Sequence, residues 1–149
     1  MTRGLSHVTF ISGNPDRTKR ILEQVLDARG IYKSGDDTLS LSRERFFMVG
    51  DVRVAVMQGA PLPSRSDNHI AFAVAEDEID DRVARIAALG MDLRPPCAPC
   101  ARVPGEGQSI CAYRPENCLI ELHSGSLEAR LARDAQGRNV ENQAGGDHG

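Results

Sequence analysis

Two stretches of the chain share the same alternation of polar and apolar residues. Residues 6–10 and 68–72 each place a histidine before a β-branched residue, a small residue and a phenylalanine. An alternation with a period of two predicts a strand that is buried on one face. Each strand precedes a stretch whose apolar residues recur at helical spacing. A repeat of about 60 residues is too long for a solenoid unit and indicates a duplicated module.

The first half of the chain predicts the element order β-α-β-β-β. After a strand at residues 5–12, Asn14 suits the N-cap of a helix and Pro15 suits its first position. The apolar face of this helix runs from Ile21 to Leu26. Two glycines then interrupt the pattern. Short strands are predicted after them at residues 39–42, 46–49 and 52–57.

The second half repeats this order after a proline-containing linker at residues 59–66. A strand at residues 68–74 precedes a helix that starts in the acidic residues 76–78 and ends at Gly90. A loop is predicted at residues 94–107, and strands are predicted at residues 91–93, 109–113 and 119–123, the last two forming a hairpin. The predicted fold class is therefore α+β, with two paired βαβββ modules.

A single domain at residues 1–136 accommodates these elements. Within it, module 1 covers about 4–59, module 2 about 67–125 and a C-terminal helix about 126–135. The tail at residues 137–149 is polar and glycine-rich, and we expect it to be disordered.

Composition excludes several functional classes. The chain is 40% hydrophobic and 26% charged, which is typical of a soluble globular protein. Its net charge of −3 and the lack of a dense basic run argue against a nucleic-acid partner. No apolar run approaches the roughly 20 residues that a membrane span requires. Because residues 1–5 also lack the apolar core of a signal peptide, we expect a cytoplasmic protein with no membrane association.

The four cysteines favour no metal or redox role. Cys97 and Cys100 have the CxxC spacing of zinc and thioredoxin-like motifs. Zinc would require a second pair at similar spacing, and redox chemistry a helix directly after the motif, whereas this context is rich in proline. Disulfides are rare in the cytoplasm. Small apolar or loop cysteines are the favoured interpretation.

The duplicated strands supply a candidate metal site. His7 and His69 occupy equivalent positions, and Glu121 lies on the last strand, so the three form a two-His-one-carboxylate set that leaves coordination positions open. A single strand histidine is more often structural, but the equivalence of the two favours ligands. If the final hairpin pairs symmetrically, one face of it holds Ser109, Cys111, Tyr113, Leu119, Glu121 and His123.

Several motifs resemble those of the FosX-type fosfomycin-resistance proteins, within the vicinal oxygen chelate (glyoxalase/bleomycin-resistance) superfamily. The matching stretches are Leu5-Ser6-His7 and residues 34–47, 68–72, 105–109 and 119–131. They are spread over residues 4–131, which is most of the chain.

The resemblance implies a homodimeric, Mn(II)-dependent epoxide hydrolase that opens fosfomycin, a small phosphonate, with water. It assigns the metal to His7, His69 and Glu121, with other divalent metals also compatible, and the general base to Glu44, which thiol-transferring relatives lack. Modules of this superfamily commonly pair across subunits, so His7 is expected to come from the opposite chain to His69 and Glu121. It assigns the substrate to Thr9, Arg102, Ser109 and Arg130.

The sequence departs from the family pattern at one substrate position. Cys111 stands where the family usually has a tyrosine that contacts the phosphonate, and a short insertion lies near Cys97 and Cys100. Loss of one hydroxyl contact costs about 1–3 kcal/mol of binding. A related phosphonate or another epoxide therefore remains open as the substrate.

Two alternative functions also remain open on this fold. One is a thiol transferase acting on the same epoxide, and the other is a drug-binding resistance protein without catalysis. A ring-cleaving dioxygenase is less favoured, because the chain is short and lacks the expected histidine and tyrosine acid–base set.

Overall fold

The computed structural model describes residues 1–35, 43–94, 100–101 and 106–144 of the chain. The first half contains β1 (His7–Ser12), α1 (Pro15–Leu26), β2 (Arg29–Lys33), β3 (Glu44–Val49) and β4 (Val52–Gln58). The second half contains β5 (Ser66–Ala73), a short 3-10 helix (Glu76–Glu78), α2 (Ile79–Ala88), β6 (Asp92–Leu93), β7 (Cys100–Ala101), β8 (Gln108–Tyr113) and β9 (Cys118–His123), followed by α3 (Leu127–Ala144).

The two halves form two sheets with the same topology. The first sheet has the order β1-β4-β3-β2, and the second has β5-β9-β8-β6, with β7 pairing beside β8. In each sheet the first strand runs parallel to the last strand of its module, and the other pairs are antiparallel. The duplication that was inferred from the histidine repeat is therefore present in the strand order.

One hydrophobic core joins the two modules. Alternate residues of β1, Val8 and Phe10, are buried together with Ile21 and Leu22 of α1, and the same core continues to Ile86 of α2. Asn14 caps α1 as predicted, because its side-chain oxygen accepts a hydrogen bond from the Arg17 backbone N–H at 3.0 Å. The helices cover one face of each sheet, so His7 and Thr9 of β1 lie on the opposite face, whereas Ser12 at the end of the strand is buried on the helix side.

Strand β2 lies where the sequence predicted no strand. We expected the second strand of module 1 at residues 39–42, which are outside the described residues, whereas the structure forms it at Arg29–Lys33. All five residues of β2 are exposed, so no alternation of burial is available to reveal the strand. It pairs with β3, and Tyr32 stacks on Phe46 with ring centroids 5.2 Å apart.

Helix α3 is longer than predicted. We expected it to end near Ala135 and a disordered tail to start at residue 137, but the helix continues to Ala144. Gly137 lowers helix stability by about 1 kcal/mol relative to alanine without forbidding the helix, and the residues around it are helix-compatible. None of the helices within the described ranges is both long and apolar enough to cross a bilayer.

A buried arginine ties the two helices together. Arg82 of α2 is 4% exposed and donates to the Val25 carbonyl at 3.0 Å and to the Asp27 carboxylate at 2.5 Å. This hydrogen bond lowers the pKa of Asp27 below its usual value. Val25 and Asp27 lie at the C-terminal end of α1, where backbone carbonyls have no partner within the helix. Arg82 donates to the Val25 carbonyl and also pairs with the Asp27 carboxylate. The sequence predicted only the apolar face of α2.

A second buried ionic group connects the β8–β9 turn to module 1. Glu116 accepts hydrogen bonds from Ser12 at 2.9 Å and Thr18 at 3.1 Å, and its other oxygen lies 3.3 Å from Arg114. The Arg114 guanidinium is fully buried and lies 4.2 Å from the centre of the Phe10 ring. A buried arginine requires a nearby negative charge, so Glu116 holds the turn against β1 and α1.

We predict that Glu116→Gln destabilises the protein by about 3–5 kcal/mol, the usual cost of removing one partner of a buried ion pair. The free energy of unfolding in urea measures this loss. Glu128→Gln, at an exposed position of α3, is the matched control and should stay within about 0.5 kcal/mol of the parent. Equal stability of the two variants would show that the buried pair does not hold the turn.

Candidate functional site

The second sheet brings together two of the three predicted metal ligands. His69 of β5 and Glu121 of β9 lie on neighbouring parallel strands, and Ala71 is the residue directly opposite Glu121. His69 is two residues before Ala71, so its side chain points to the same face as Glu121. The imidazole Nε2 lies 2.7 Å from the carboxylate Oε2 of Glu121.

Hydrogen bonding fixes which nitrogen of His69 faces Glu121. Its Nδ1 lies 2.8 Å from the backbone carbonyl of Asp67, which can only accept, so Nδ1 carries a hydrogen. Nε2 is therefore the nitrogen that faces Glu121, and in a neutral imidazole it is the one that can bind a metal. Asp67 is itself held by Tyr113, whose hydroxyl donates to it at 2.5 Å, and by Arg94 at 2.8 Å. The bond to Asp67 raises the pKa of Tyr113.

The geometry of this pair fits a divalent cation. Two ligands about 2.1 Å from a metal and at right angles to each other are about 3 Å apart. The Nε2–Oε2 distance of 2.7 Å is close to that separation. Imidazole and carboxylate donors suit manganese, iron or zinc. His69 and Glu121 can therefore act as adjacent ligands of one ion.

Ser109 lies beneath this pair, where it contacts Glu121. Its hydroxyl is buried and donates to Oε1 of Glu121 at 2.7 Å, and it also lies 2.8 Å from Nδ1 of His123. The strand register places Ser109 directly opposite His123, as the predicted hairpin requires. The family resemblance assigned Ser109 to the substrate, whereas its hydroxyl in this structure contacts Glu121, a candidate metal ligand, and His123. His123 was predicted to share this face, but it was given no role.

Cys111 lies directly opposite Glu121 on the same face. Its side chain is 2% exposed and packs with Leu119 and Tyr113. The predicted shared face of the hairpin is thus confirmed. The buried Cys111 side chain therefore lies on the strand next to Glu121, at the position directly opposite it.

The first sheet carries a separate group of predicted site residues. His7 and Thr9 of β1 are exposed on the face opposite α1. Thr9 pairs with Ala55, and Ala55 pairs with Phe46, so the three share a face. Glu44 precedes Phe46 by two residues and lies on that face as well. A cavity of about 610 Å³ beside the start of β3 is lined by Glu44, by the basic residues Lys33, Arg43 and Arg45, and by residues 13–16 at the start of α1, but not by His7 or Thr9.

The two groups do not combine within one chain. His7 belongs to the first sheet, whereas His69 and Glu121 belong to the second. Across the ranges that the structure describes, no three His, Cys, Asp or Glu side chains converge on a single metal position. His7 therefore does not complete a two-His-one-carboxylate set with His69 and Glu121 within the described part of this chain.

Arg130, a further predicted substrate residue, lies on α3. Arg130 is exposed on the first turns of α3, and its backbone N–H bonds the Ser126 carbonyl at 3.2 Å. Arg102 and Cys97 lie outside the described residues, and only the backbone of Cys100 is described, as part of β7.

No family model matches the chain. The fosfomycin resistance protein FosX of Mesorhizobium japonicum is 50% identical over 137 residues, covering 92% of this chain and 96% of that protein. The metallothiol transferase FosB of Shouchella clausii is 28% identical over 136 residues, covering 89% of this chain and 87% of that protein.

A solved structure agrees with the fold. A variant of FosX from Listeria monocytogenes, in complex with Mn(II) and 1S,2S-dihydroxypropylphosphonic acid, is 40% identical and covers 89% of this chain and 98% of its own, with a TM-score of 0.77. The predicted glyoxalase/bleomycin-resistance fold of two βαβββ modules is confirmed. With half of its residues identical over nearly the full length of a FosX protein, the chain belongs to the FosX family of fosfomycin resistance proteins.

Proposed function

We propose that this protein is a Mn(II)-dependent hydrolase that inactivates fosfomycin by adding water to its epoxide. The observation that carries the proposal is the 2.7 Å approach of His69 Nε2 to Glu121 Oε2, which forms two adjacent ligand positions. The FosX structure with Mn(II) and a dihydroxypropylphosphonic acid supports both the metal and the product class, since that diol is what water and the epoxide form.

The residues of this chain divide the chemistry between them. His69, Glu121 and the His7 of a second subunit would hold the ion. When bound, Mn(II) supplies Lewis-acid stabilisation for the oxygen that leaves the epoxide carbon. Glu44 accepts a proton from the attacking water, the role of a general base. Thr9, Arg102 and Arg130 then bind the phosphonate through hydroxyl and guanidinium hydrogen bonds.

The position of Glu44 supports its role as base. The Ser34 hydroxyl accepts a hydrogen bond from the Glu44 backbone N–H at 2.9 Å, which fixes the start of β3. The Glu44 side chain lines the cavity at the end of the first sheet and shares a sheet face with His7 and Thr9. Glu44 as base and His7 as metal ligand can therefore serve one site if this face of the first sheet packs against the second sheet of another subunit.

The proposal includes a homodimer whose site is shared between subunits. The face of β1 that presents His7 also exposes Ile11 at 44%, and Leu5 just before the strand is exposed at 65%. Apolar side chains that surround polar site residues are typical of a surface covered by a partner. Pairing the first sheet of one copy with the second sheet of another brings both groups of residues together and buries these side chains.

We predict that Glu44→Gln retains Mn(II) binding and lowers diol formation at least about 100-fold, because the amide cannot accept the proton from water. Phosphorus NMR of fosfomycin with the Mn(II)-loaded protein measures the rate. Glu23→Gln on α1, whose side chain lies at the surface beside Lys19, is the control and should keep the parental rate. Normal turnover by the Glu44 variant would remove this residue from the mechanism.

Incubation without any thiol separates hydrolysis from thiol transfer. We expect Mn(II) and protein alone to convert fosfomycin to the diol, and chelation of the metal to stop conversion, since both the ion and Glu44 are required. If no diol forms, and a thiol adduct appears once glutathione or bacillithiol is added, the protein is a thiol transferase. Drug binding that survives chelation without turnover would support a sequestering protein.

Mixing two inactive variants tests whether the site is shared. His7→Ala and Glu121→Ala each remove one ligand, but a mixed dimer retains one intact site. Random pairing makes half of the dimers mixed, so co-expression should restore about a quarter of the parental activity. His69→Ala with Glu121→Ala is the matched control, because both residues lie on the second sheet and no intact site can form. If neither pair of co-expressed variants recovers activity, the site is not shared between subunits.

A further inference from the structure

The carboxylate of Glu121 uses its two oxygens differently. Oε2 faces His69, whereas Oε1 points inward to the buried hydroxyl of Ser109 at 2.7 Å. A serine hydroxyl has only one hydrogen to donate, and this bond uses it. Any further polar neighbour of the Ser109 oxygen must therefore be a donor.

His123 is that neighbour. Its Nδ1 lies 2.8 Å from the Ser109 oxygen and 3.5 Å from Glu121 Oε1, so its direct hydrogen bond is to the serine. Since the hydroxyl hydrogen is directed at Glu121, Nδ1 must carry the hydrogen of the imidazole. The result is a directed chain from His123 through Ser109 to Glu121, in which each member orients the next.

Packing holds the imidazole in this orientation. His123 is 8% exposed, and its Nε2 is buried without a hydrogen-bond partner among the residues that the structure describes. A Cβ atom added to Gly125 would lie 1.9 Å from the Glu106 carbonyl oxygen and 2.6 Å from Nε2, so glycine leaves room for both that backbone and the ring. Next to His123 in the chain, the Ser124 hydroxyl accepts a hydrogen bond from the Gln108 N–H at 2.8 Å, which joins the end of β9 to the start of β8.

We propose that His123 is a positioning residue for the metal, acting through Ser109 on Glu121. By directing the serine hydrogen to Oε1, it keeps that oxygen engaged and leaves Oε2 facing His69 for the ion. Residues that orient a metal ligand typically contribute 10–100-fold to metal affinity. The inference rests on the metal site of the proposed function, and it adds a residue that touches neither the metal nor the substrate.

Mn(II) affinity in the absence of substrate, measured by electron paramagnetic resonance, tests the proposal independently of turnover. His123→Leu removes the donor and should weaken Mn(II) binding about 10–100-fold. His123→Asn can place an amide N–H near the Nδ1 position, and it should stay within about 3-fold of the parent. Thr18→Val is the control for a buried polar site away from Glu121, and it should leave Mn(II) affinity unchanged.

A double-mutant cycle with Ser109→Ala adds a second criterion. If His123 acts through Ser109, the pair Ser109→Ala/His123→Leu should bind Mn(II) no more weakly than Ser109→Ala alone, whereas independent structural effects would add. Circular dichroism of the metal-free variants identifies any that fail to fold. If His123→Leu does not fold, the same comparison is made with His123→Asn, whose affinity should follow the parent and not Ser109→Ala.

The outcomes separate this inference from the proposed function. Normal Mn(II) affinity in His123→Leu, or equal losses in the leucine and asparagine variants, would overturn the positioning role while the metal site stands. A parent protein that fails to bind Mn(II), or a Glu121→Ala variant that binds it normally, would overturn the metal site and the inference with it.

Discussion

The contact between His69 Nε2 and Glu121 Oε2 is the interaction on which the rest of the candidate site depends. It exists because β5 and β9 are neighbouring parallel strands, with His69 two residues ahead of the position opposite Glu121. Each group is fixed from behind by a different element: His69 by the Asp67 carbonyl, and Glu121 by Ser109 of β8. A one-residue slip of either strand would turn its ligand to the helix face, so sheet register is a functional constraint here.

The duplication explains why the site is divided between two sheets. Glu44 pairs with Met57 in the first sheet, as Ser109 pairs with His123 in the second. Glu44 thus occupies the module 1 position that Ser109 occupies in module 2. One position supplies a solvent-accessible carboxylate, and the other supplies a buried hydroxyl that orients a ligand. The two modules therefore share a backbone plan and carry different polar side chains at equivalent positions.

Sequence alternation, together with symmetric pairing of the final hairpin, was sufficient to place Ser109, Glu121 and His123 on one face, because successive side chains of a strand point to opposite faces. It could not place β2, whose residues are exposed throughout. Nor could it identify Arg114 and Glu116 as buried, because they look like an ordinary polar turn and their contacts are with the other module: Glu116 with Ser12 and Thr18, and Arg114 with Phe10. The contact of His123 with Ser109 likewise depends on pairing between strands.

In the proposed dimer, the first sheet of one subunit completes the metal site on the second sheet of the other. Anomalous diffraction at the manganese edge, from crystals of the Mn(II)-loaded protein, locates the ion and its ligands. We expect one anomalous peak per site, coordinated by His69 and Glu121 of one chain and by the partner subunit's His7. A peak coordinated by all three residues of the same chain, or manganese located away from His69 and Glu121, would contradict it.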